Sequence, residues 1–285
     1  MIGRFYKLLN IEIKRAFNSI FFWMSLMAGT IFALISGICS IKNYVTLREQ
    51  LGQIGGNPMI QAFGLYNMWI GGECNSLGFV LFYSLLPILA VLPYGWSFSV
   101  DKKIGYDRMI IIRTNRMQYF LSKYMTAFIC GGIAVVLPLL ENFVGVACFI
   151  PAVKPSILYD IYYPIHYGSL WSELFFSKPF LFICKYLILD FVFAGLFACI
   201  GITISFFCEK VLSAIVMPYF IILILHYGRT LMYGRIYKEI SPLNFLHTTC
   251  IENIVDEKIV FAEGVIIFAI IIYCLWWKGR KYETI

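Results

Sequence analysis

Residues 179–206 read PFLFICKYLILDFVFAGLFACIGITISF, an apolar run in which Lys185 and Asp190 are the only charged residues. A helix needs about 20 apolar residues to cross the hydrocarbon core of a bilayer, so this run is long enough to do so. The chain has 285 residues, of which 60% are hydrophobic and 14% are charged. Soluble globular proteins average about 45–50% apolar and about 25% charged residues. The composition therefore excludes an ordinary soluble domain and predicts an all-α polytopic membrane protein.

Six apolar runs of this kind predict six transmembrane helices in a single membrane domain over residues 1–285. They cover approximately residues 17–39, 77–100, 124–150, 179–206, 211–229 and 259–277. Small residues recur in the fourth run at Ala194, Ala198, Gly201 and Ser205. Such a stripe favours close packing between helices, and we expect that packing to be within the chain.

Lysine and arginine residues are distributed unequally between the two sides of the predicted membrane domain. With the N-terminus in the cytoplasm, the cytoplasmic segments carry 14 basic residues, whereas the much longer opposite loops carry eight. An excess of basic residues in short loops marks the cytoplasmic side of a membrane protein. We therefore expect a multi-pass protein of the cell membrane with both termini in the cytoplasm.

The N-terminal residues 1–16 have the periodicity of an amphipathic helix. One side carries the apolar residues Ile2, Phe5, Leu8, Leu9, Ile13 and Ala16. The basic residues Arg4, Lys7, Lys14 and Arg15 lie largely on the other side. A helix of this kind lies in the membrane interface, with its cations near anionic headgroups. A plain basic anchor on the cytoplasmic side is the alternative interpretation.

The predicted cytoplasmic segment 101–123, DKKIGYDRMIIIRTNRMQYFLSK, is longer than a simple turn requires. Asn115 followed by Gln118 resembles a capping box and predicts the start of a helix that continues into the third span. An apolar block with a charged rim suits docking into a groove on a partner protein. The candidate docking residues are Asp107, Arg108, Met109, Ile110, Ile111, Ile112, Arg113 and Arg116. An interfacial helix that contacts only lipid is the alternative.

Three ionisable residues, Glu141, Lys185 and Asp190, lie deep inside predicted spans. Each is costly in a bilayer unless it is paired or hydrated. The third and fourth spans are antiparallel neighbours in sequence, so Lys185 could pair with either acid. These residues form a structural ion pair, line a substrate path, or extend along the lipid-facing side toward the membrane interface.

The residues give little support to an enzyme. The chain has no G-x-x-x-x-G-K-[ST], no H-E-x-x-H and no G-x-S-x-G motif, so no catalytic, cofactor or metal site is expected. His166, His226 and His247 lie too far apart in sequence to have the spacing of metal ligands. Cys74 and Cys250 both fall in loops predicted to lie outside the cell, where a disulfide between them is an open alternative.

The order of these segments resembles the permease subunit of an ABC-2 type transporter. The likeness begins with the helix containing Lys14–Arg15 and a second span with Pro87 and Pro93. In the cytoplasmic segment the matching residues are Asp101, Gly105, Ile110–Ile112, Arg113, Arg116, Tyr119 and Lys123. Ser241–Pro242–Leu243, ahead of the sixth span, adds to it. The family often has Glu in place of Asp101 and a proline near Thr114, which this chain lacks.

The resemblance implies that residues 1–16 are a connecting helix and that residues 101–123 are a coupling segment, which docks on a separate cytoplasmic ABC ATPase. It implies a second permease, identical or related, and binding of ATP and Mg²⁺ by the ATPase subunits rather than by this chain. The expected activity is export of an amphipathic, lipid-like or peptide cargo across a bacterial cell membrane. This expected activity includes export of a peptide antibiotic or bacteriocin, and also immunity to one.

Two other functions are compatible with the residues. An ion-coupled secondary transporter would use Glu141 and Asp190 to carry protons or cations. A non-transporting membrane scaffold or sensor would recruit its partner through residues 101–123. The net charge of +7 would favour nucleic acid in a soluble protein, but here the basic residues follow the membrane asymmetry. No nucleic-acid partner is expected.

Overall fold

The computed structural model describes residues 2–53, 62–165, 169–232, 238–249 and 254–281. These residues fold almost entirely into helices, with one isolated bridge between Lys238 and Ile254 and no named strand among them. The α-helices are α1 (Ile2–Phe17), α2 (Ile20–Gly52), α3 (Leu65–Met68), α4 (Leu77–Val91), α5 (Ser97–Ile104), α6 (Tyr106–Arg113), α7 (Arg116–Ala147), α8 (Ser172–Ser177), α9 (Pro179–Ser205), α10 (Val211–Gly228), α11 (Pro242–Phe245) and α12 (Glu257–Lys281). The all-α membrane architecture expected from composition is confirmed.

Five helices within the described ranges, α2, α7, α9, α10 and α12, are long and apolar enough to cross a membrane. The predicted second span, 77–100, differs from the structure because its helix α4 ends at Val91 after 15 residues. The chain turns over residues 92–96, where Pro93 has no N–H to continue the helix. It becomes helical again at Ser97, as α5. A sixth span therefore stays a prediction.

The centre of the bundle is the packing of α7 against α9, with α2 and α4 beside them. A side chain at Gly131 of α7 would meet the Cβ of Ala198 and the carbonyl oxygen of Ala90, each at 2.7 Å, so only glycine allows this approach. The small residues of α9, which are Ala194, Ala198, Gly201 and Ser205, are all buried. The predicted close packing within the chain is confirmed.

The bundle has two distinct ends. The α1 end carries α1, α5, α6 and the start of α7, while the loop end carries the long connections between helices. At the loop end, Thr248 donates through Oγ1 to the carbonyl of Gly71 at 2.6 Å. Asn142 accepts from the backbone N–H of Ile70 at 2.8 Å and donates to the carbonyl of Ala33 at 2.7 Å. These side-chain bonds join two loops to each other, one loop to α7, and α7 to α2.

The suggested Cys74–Cys250 disulfide and the prediction for His166 both involve residues outside the described ranges. Cys74 is a free thiol in the structure, but its suggested partner Cys250 is not described. His166 is also outside the described residues. The suggested disulfide therefore stays a prediction.

Candidate functional site

The buried side of α1 contains an acidic residue. Leu8, Glu12 and Ala16 recur every four residues, and all three are buried where α1 packs against α7. Burial of Leu8 and Ala16 agrees with the apolar side expected from the periodicity. Glu12 has no exposed surface at all, and a buried carboxylate is strongly unfavourable unless a cation and hydrogen bonds accompany it.

Lys123 of α7 supplies that cation. Its Nζ lies 2.8 Å from Glu12 Oε2 and 2.6 Å from Asp101 Oδ2, and all three side chains are fully buried. One lysine therefore joins a carboxylate on α1 to a carboxylate on α5. Lysine is suited to this position because its ammonium group donates up to three hydrogen bonds.

Arg15 is the second cation of this site. Its Nη2 donates to Asp101 Oδ1 at 2.6 Å, and its Nη1 lies 3.8 Å from Glu12 Oε2. The guanidinium also stacks on the ring of Tyr106 in α6, with Cζ 4.5 Å from the ring centroid. Two cations thus face two carboxylates, so the site has no net formal charge.

Two tyrosines add further hydrogen bonds, although Glu12 Oε1 and Arg15 Nη1 have no hydrogen-bond partner among the described residues. Tyr94, in the turn between α4 and α5, donates to Glu12 Oε2 and accepts from Lys123 Nζ at 3.0 Å. Tyr119 donates to Asp101 Oδ2 at 2.7 Å. We refer to the six residues as the polar cluster: Glu12, Arg15, Tyr94, Asp101, Tyr119 and Lys123. The cluster joins four parts of the chain, which are α1, the 92–96 turn, α5 and α7.

The cations of the polar cluster keep Asp101 ionised. Burial alone would raise the pKa of this carboxyl group, but Lys123 and Arg15 outweigh burial and hold it below its ordinary value. Burial also opposes the charge on Arg15, yet Asp101 raises the pKa of the guanidinium above its ordinary value. The interaction is therefore a true ion pair at neutral pH.

The helix pair α5–α6 carries the surface next to the polar cluster. Gly105 separates the two helices and has φ of +71°, in the left-handed region that glycine adopts most readily. Helix α6 ends at Arg113, and Asn115 then caps α7 by accepting from the backbone N–H of Met117 at 3.0 Å. The helix start predicted at Asn115 is confirmed.

The apolar block predicted for docking is divided between two sides of α6. Ile111 is only 8% exposed and packs in the core beside α7, and Asp107 is buried as well. Ile110 is half-buried. Met109 and Ile112 point outward, with exposed fractions of 57% and 82%. The apolar residues 109–112 therefore do not form one exposed surface, because a helix places neighbouring residues on different sides.

The outward residues form a compact surface that we call the docking face. It consists of Ile104, Arg108, Met109, Ile112 and Arg113, and all five are exposed. Arg116, the last of the predicted docking residues, is also exposed and lies at the start of α7. The docking face has an apolar centre and a cationic rim.

The three ionisable residues predicted inside the membrane are not brought together. Glu141 is exposed on the side of α7 and accepts from Thr30 Oγ1 at 2.8 Å. Lys185 is exposed and stacks on Trp171, with Nζ 4.6 Å from the ring centroid. Asp190 is fully buried, and neither carboxylate oxygen has a hydrogen-bond partner among the described residues. Lys185 thus forms no ion pair with either acid.

The remaining histidines have structural contacts at the loop end. His226 Nδ1 lies 2.8 Å from Ser241 Oγ, and His247 Nδ1 lies 2.9 Å from Thr249 Oγ1. Over the described ranges, no group of three or more His, Cys, Asp or Glu residues could hold a metal ion.

Comparison with known proteins found no matching family model, no matching curated protein and no matching solved structure. Function is therefore argued from geometry.

Sequence reasoning missed two members of the polar cluster, Glu12 and Tyr94. The signal for Glu12 was its position between Leu8 and Ala16, on the apolar side of an amphipathic helix. An acidic residue there requires a buried cation, and Lys123 is a basic residue close to the third span. Tyr94 had no comparable signal, because a tyrosine beside Pro93 is equally compatible with a membrane-interface anchor.

Proposed function

We propose that this chain is the membrane-spanning permease subunit of an ATP-driven exporter, with α6 as the element that receives the motion of a cytoplasmic ATPase. On this proposal α4 and the following turn form the second of six spans, and both termini lie in the cytoplasm of a bacterial cell membrane. The cargo class is amphipathic, lipid-like or peptide. ATP and Mg²⁺ belong to the partner ATPase, and a second permease completes the transporter.

The observation that carries the proposal is the link between the docking face and the polar cluster. The docking face lies on α5 and α6, and Asp101 of α5 is bonded to Lys123 of α7 and Arg15 of α1. Tyr106 of α6 contacts the same arginine. A push on α6 passes to α5 and acts on α7 and α1 through the short charge-assisted bonds of Asp101, which are stronger than neutral hydrogen bonds.

This arrangement suits rigid-body coupling. Helix α7 runs from the docking face to the loop end and packs against α9 along its length. Movement of its first turn would tilt the helix rather than bend a flexible loop, and motions of packed helices as rigid bodies are a common means of transmitting a conformational change. The outward position of Met109 and Ile112 leaves an apolar surface for the partner to cover.

The test is a pull-down of the tagged chain from its native membranes in mild detergent, followed by identification of bound proteins and an ATPase assay. An ABC ATPase with vanadate-sensitive activity should co-purify. The double variant Met109→Asp/Ile112→Asp should weaken this association by about tenfold or more, since each buried apolar side chain contributes roughly 1.5–3 kcal/mol. Leu158→Asp is the matched control because Leu158 is 89% exposed at the loop end.

The result distinguishes the proposal from its alternatives. Recovery of the chain without an ATPase would contradict the permease role. Association that depends on the docking face but never stimulates ATP hydrolysis would indicate a scaffold or sensor instead. Equal ATPase binding by the double variant and by Leu158→Asp would remove the docking face from the mechanism.

An ion-coupled carrier is the second candidate, and the buried position of Asp190 favours it. A fully buried carboxylate without a hydrogen-bond partner among the described residues is the group expected to bind and release a proton inside a membrane. In this case Asp190→Asn would abolish uptake driven by a proton gradient in reconstituted vesicles. Unchanged proton-driven uptake by the same variant would exclude this role for Asp190.

A further inference from the structure

A long groove lies between α9 and α12 on the side of the bundle. It encloses a volume of about 940 Å³, and its walls are largely apolar. The wall residues on α9 include Ile188, Val192 and Leu196, and those on α12 include Phe261, Val265 and Phe268. A groove of this volume lies within the usual size range of small-molecule sites.

The two helices run in the same direction along the groove, because both begin at the loop end. Lys185 therefore lies level with Glu257 and Lys258, and Leu196 lies level with Phe268. The lining residues span positions 185–196 of α9, which corresponds to about 16 Å at 1.5 Å per residue. The groove thus extends from the membrane surface at the loop end well into the hydrocarbon region.

The surroundings determine what can occupy the apolar part. Both helices are long and apolar enough to span a membrane, and the outer wall residues Phe261 and Phe268 are 74% and 54% exposed. An exposed apolar groove at this depth faces hydrocarbon rather than water. An acyl chain is the group that fills it.

The mouth of the groove is charged, and two of its lysines are not held in ion pairs with any described residue. Asp256 is neutralised by Lys238, whose Nζ lies 2.5 Å from Asp256 Oδ2. Lys185 and Lys258 share the mouth with two carboxylates, Glu257 and the neighbouring Glu173, but neither lysine forms an ion pair with them. The exposed Lys185 ammonium lies on the ring of Trp171, which holds it at the mouth. Two ammonium groups without an ion-pair partner in the described part of the chain, at the edge of an apolar groove, favour an anionic headgroup.

We propose that the α9–α12 groove binds one anionic phospholipid of the bilayer. Its phosphate is bound by Lys185 and Lys258, and one acyl chain lies between the helices beside Gly264. The proposal goes beyond the transport function and depends only on the membrane position of α9 and α12. If the groove binds no lipid, the proposed ATPase-coupled function is unaffected. If no ATPase binds the chain, the proposed lipid site is unaffected.

Gly264 provides a way to close the groove without disturbing the core. A side chain added there would first meet the ring of Phe193 at 3.7 Å, which is ordinary van der Waals distance. Gly264→Phe therefore places a ring in the groove where the acyl chain would lie. Lys185→Gln removes one headgroup cation from an exposed position, so both variants should fold.

The test is native mass spectrometry of the full chain purified in detergent with added phosphatidylglycerol or phosphatidylcholine. Wild type should retain one phosphatidylglycerol and much less phosphatidylcholine. Lys185→Gln and Gly264→Phe should each lower the retained phosphatidylglycerol by about tenfold, the effect expected for losing a charge-assisted bond or the chain site.

Two matched variants serve as controls. Lys278→Gln removes a lysine that also stacks on aromatic rings, those of Phe207 and Trp277, but at the α1 end of α12. Gly145→Phe adds a ring at an exposed helical glycine with open space around it. Both should retain the lipid as wild type does. The proposal would be overturned if Lys185→Gln and Gly264→Phe retained as much phosphatidylglycerol as wild type. It would also be overturned if the two control variants lost as much of the lipid as these two, or if wild type retained as much phosphatidylcholine as phosphatidylglycerol.

Discussion

Lys123 Nζ lies 2.8 Å from Glu12 Oε2, and both side chains are completely shielded from solvent. The two residues belong to α7 and α1, so the contact ties the N-terminal helix to the bundle by an internal ion pair. Asp101 accepts from the same ammonium group at 2.6 Å. A single lysine thus bridges two buried carboxylates, and Arg15 is the other cation of the polar cluster that balances them.

Replacing Lys123 should therefore be strongly destabilising. Lys123→Met leaves Glu12 and Asp101 buried with only Arg15 to balance them, and breaking a buried pair in this way typically costs roughly 3–5 kcal/mol. The free energy of unfolding in mixed micelles measures the effect. Lys103→Met, at an exposed position of α5, should leave the stability close to that of wild type. Similar losses in both variants would contradict the role of the pair.

The stability of the α1 end should depend on pH through Asp101. Its pKa is lower in the folded protein than its ordinary value of 3.8, so the ionised carboxylate stabilises the fold fully above that value. The contribution is lost as the pH falls through the lowered pKa of the folded state. Asp101→Asn should be less stable at neutral pH but should show a flatter loss of stability below about pH 4. Parallel acid curves for the two proteins would refute this prediction.

A second pH effect should arise at the loop end from His247. This imidazole packs against Phe79 and Tyr83, with ring centroids 5.0 Å and 5.3 Å away. Burial lowers its pKa from 6.5 to about 4, although the charge of Glu239 acts in the opposite direction. The folded state therefore binds its proton less readily than the unfolded state, and stability should fall between pH 6.5 and about 4. His247→Phe should remove this part of the pH dependence, as a series of unfolding titrations would show.

Gly105 should respond to substitution through its backbone alone. Its φ of +71° is unfavourable for residues with a Cβ, but no atom lies close enough to clash with one. Gly105→Ala should cost about 1–2 kcal/mol, the usual penalty of the left-handed region. Gly145→Ala is the matched control, since Gly145 lies within a helix with open space around it. That change should stabilise by roughly 0.5–1 kcal/mol. Effects of the same sign at both positions would be inconsistent with backbone strain at Gly105.

The membrane helices were predictable because their signal is local and long. The run over 179–206 becomes α9, Pro179–Ser205, with nearly the same bounds. The prediction over 77–100 was less accurate, because apolar residues continue through the turn at 92–96. Hydropathy measures the preference for a bilayer and is insensitive to a turn that keeps its apolar composition. The structure ends α4 at Val91, two residues before Pro93, which has no N–H to continue the helix.

The segment over 101–123 was predictable in part. Asn115, followed by Gln118, marked the start of α7. Which members of the block over 109–112 point outward was not predictable. That depends on the rotation of α6 about its axis, which is set by the packing of Ile111 against neighbouring helices.

The sequence by itself determined an all-α membrane protein, an amphipathic first helix and the small-residue stripe of α9. Each of these follows from composition or periodicity within one segment, where the physics is that of a single helix in its solvent. Only the tertiary structure decided that Glu12, Asp101 and Lys123 form one buried cluster and that Lys185 lies apart from Asp190. Those pairings join residues far apart in the chain, and they depend on how the helices pack rather than on the preferences of any one of them.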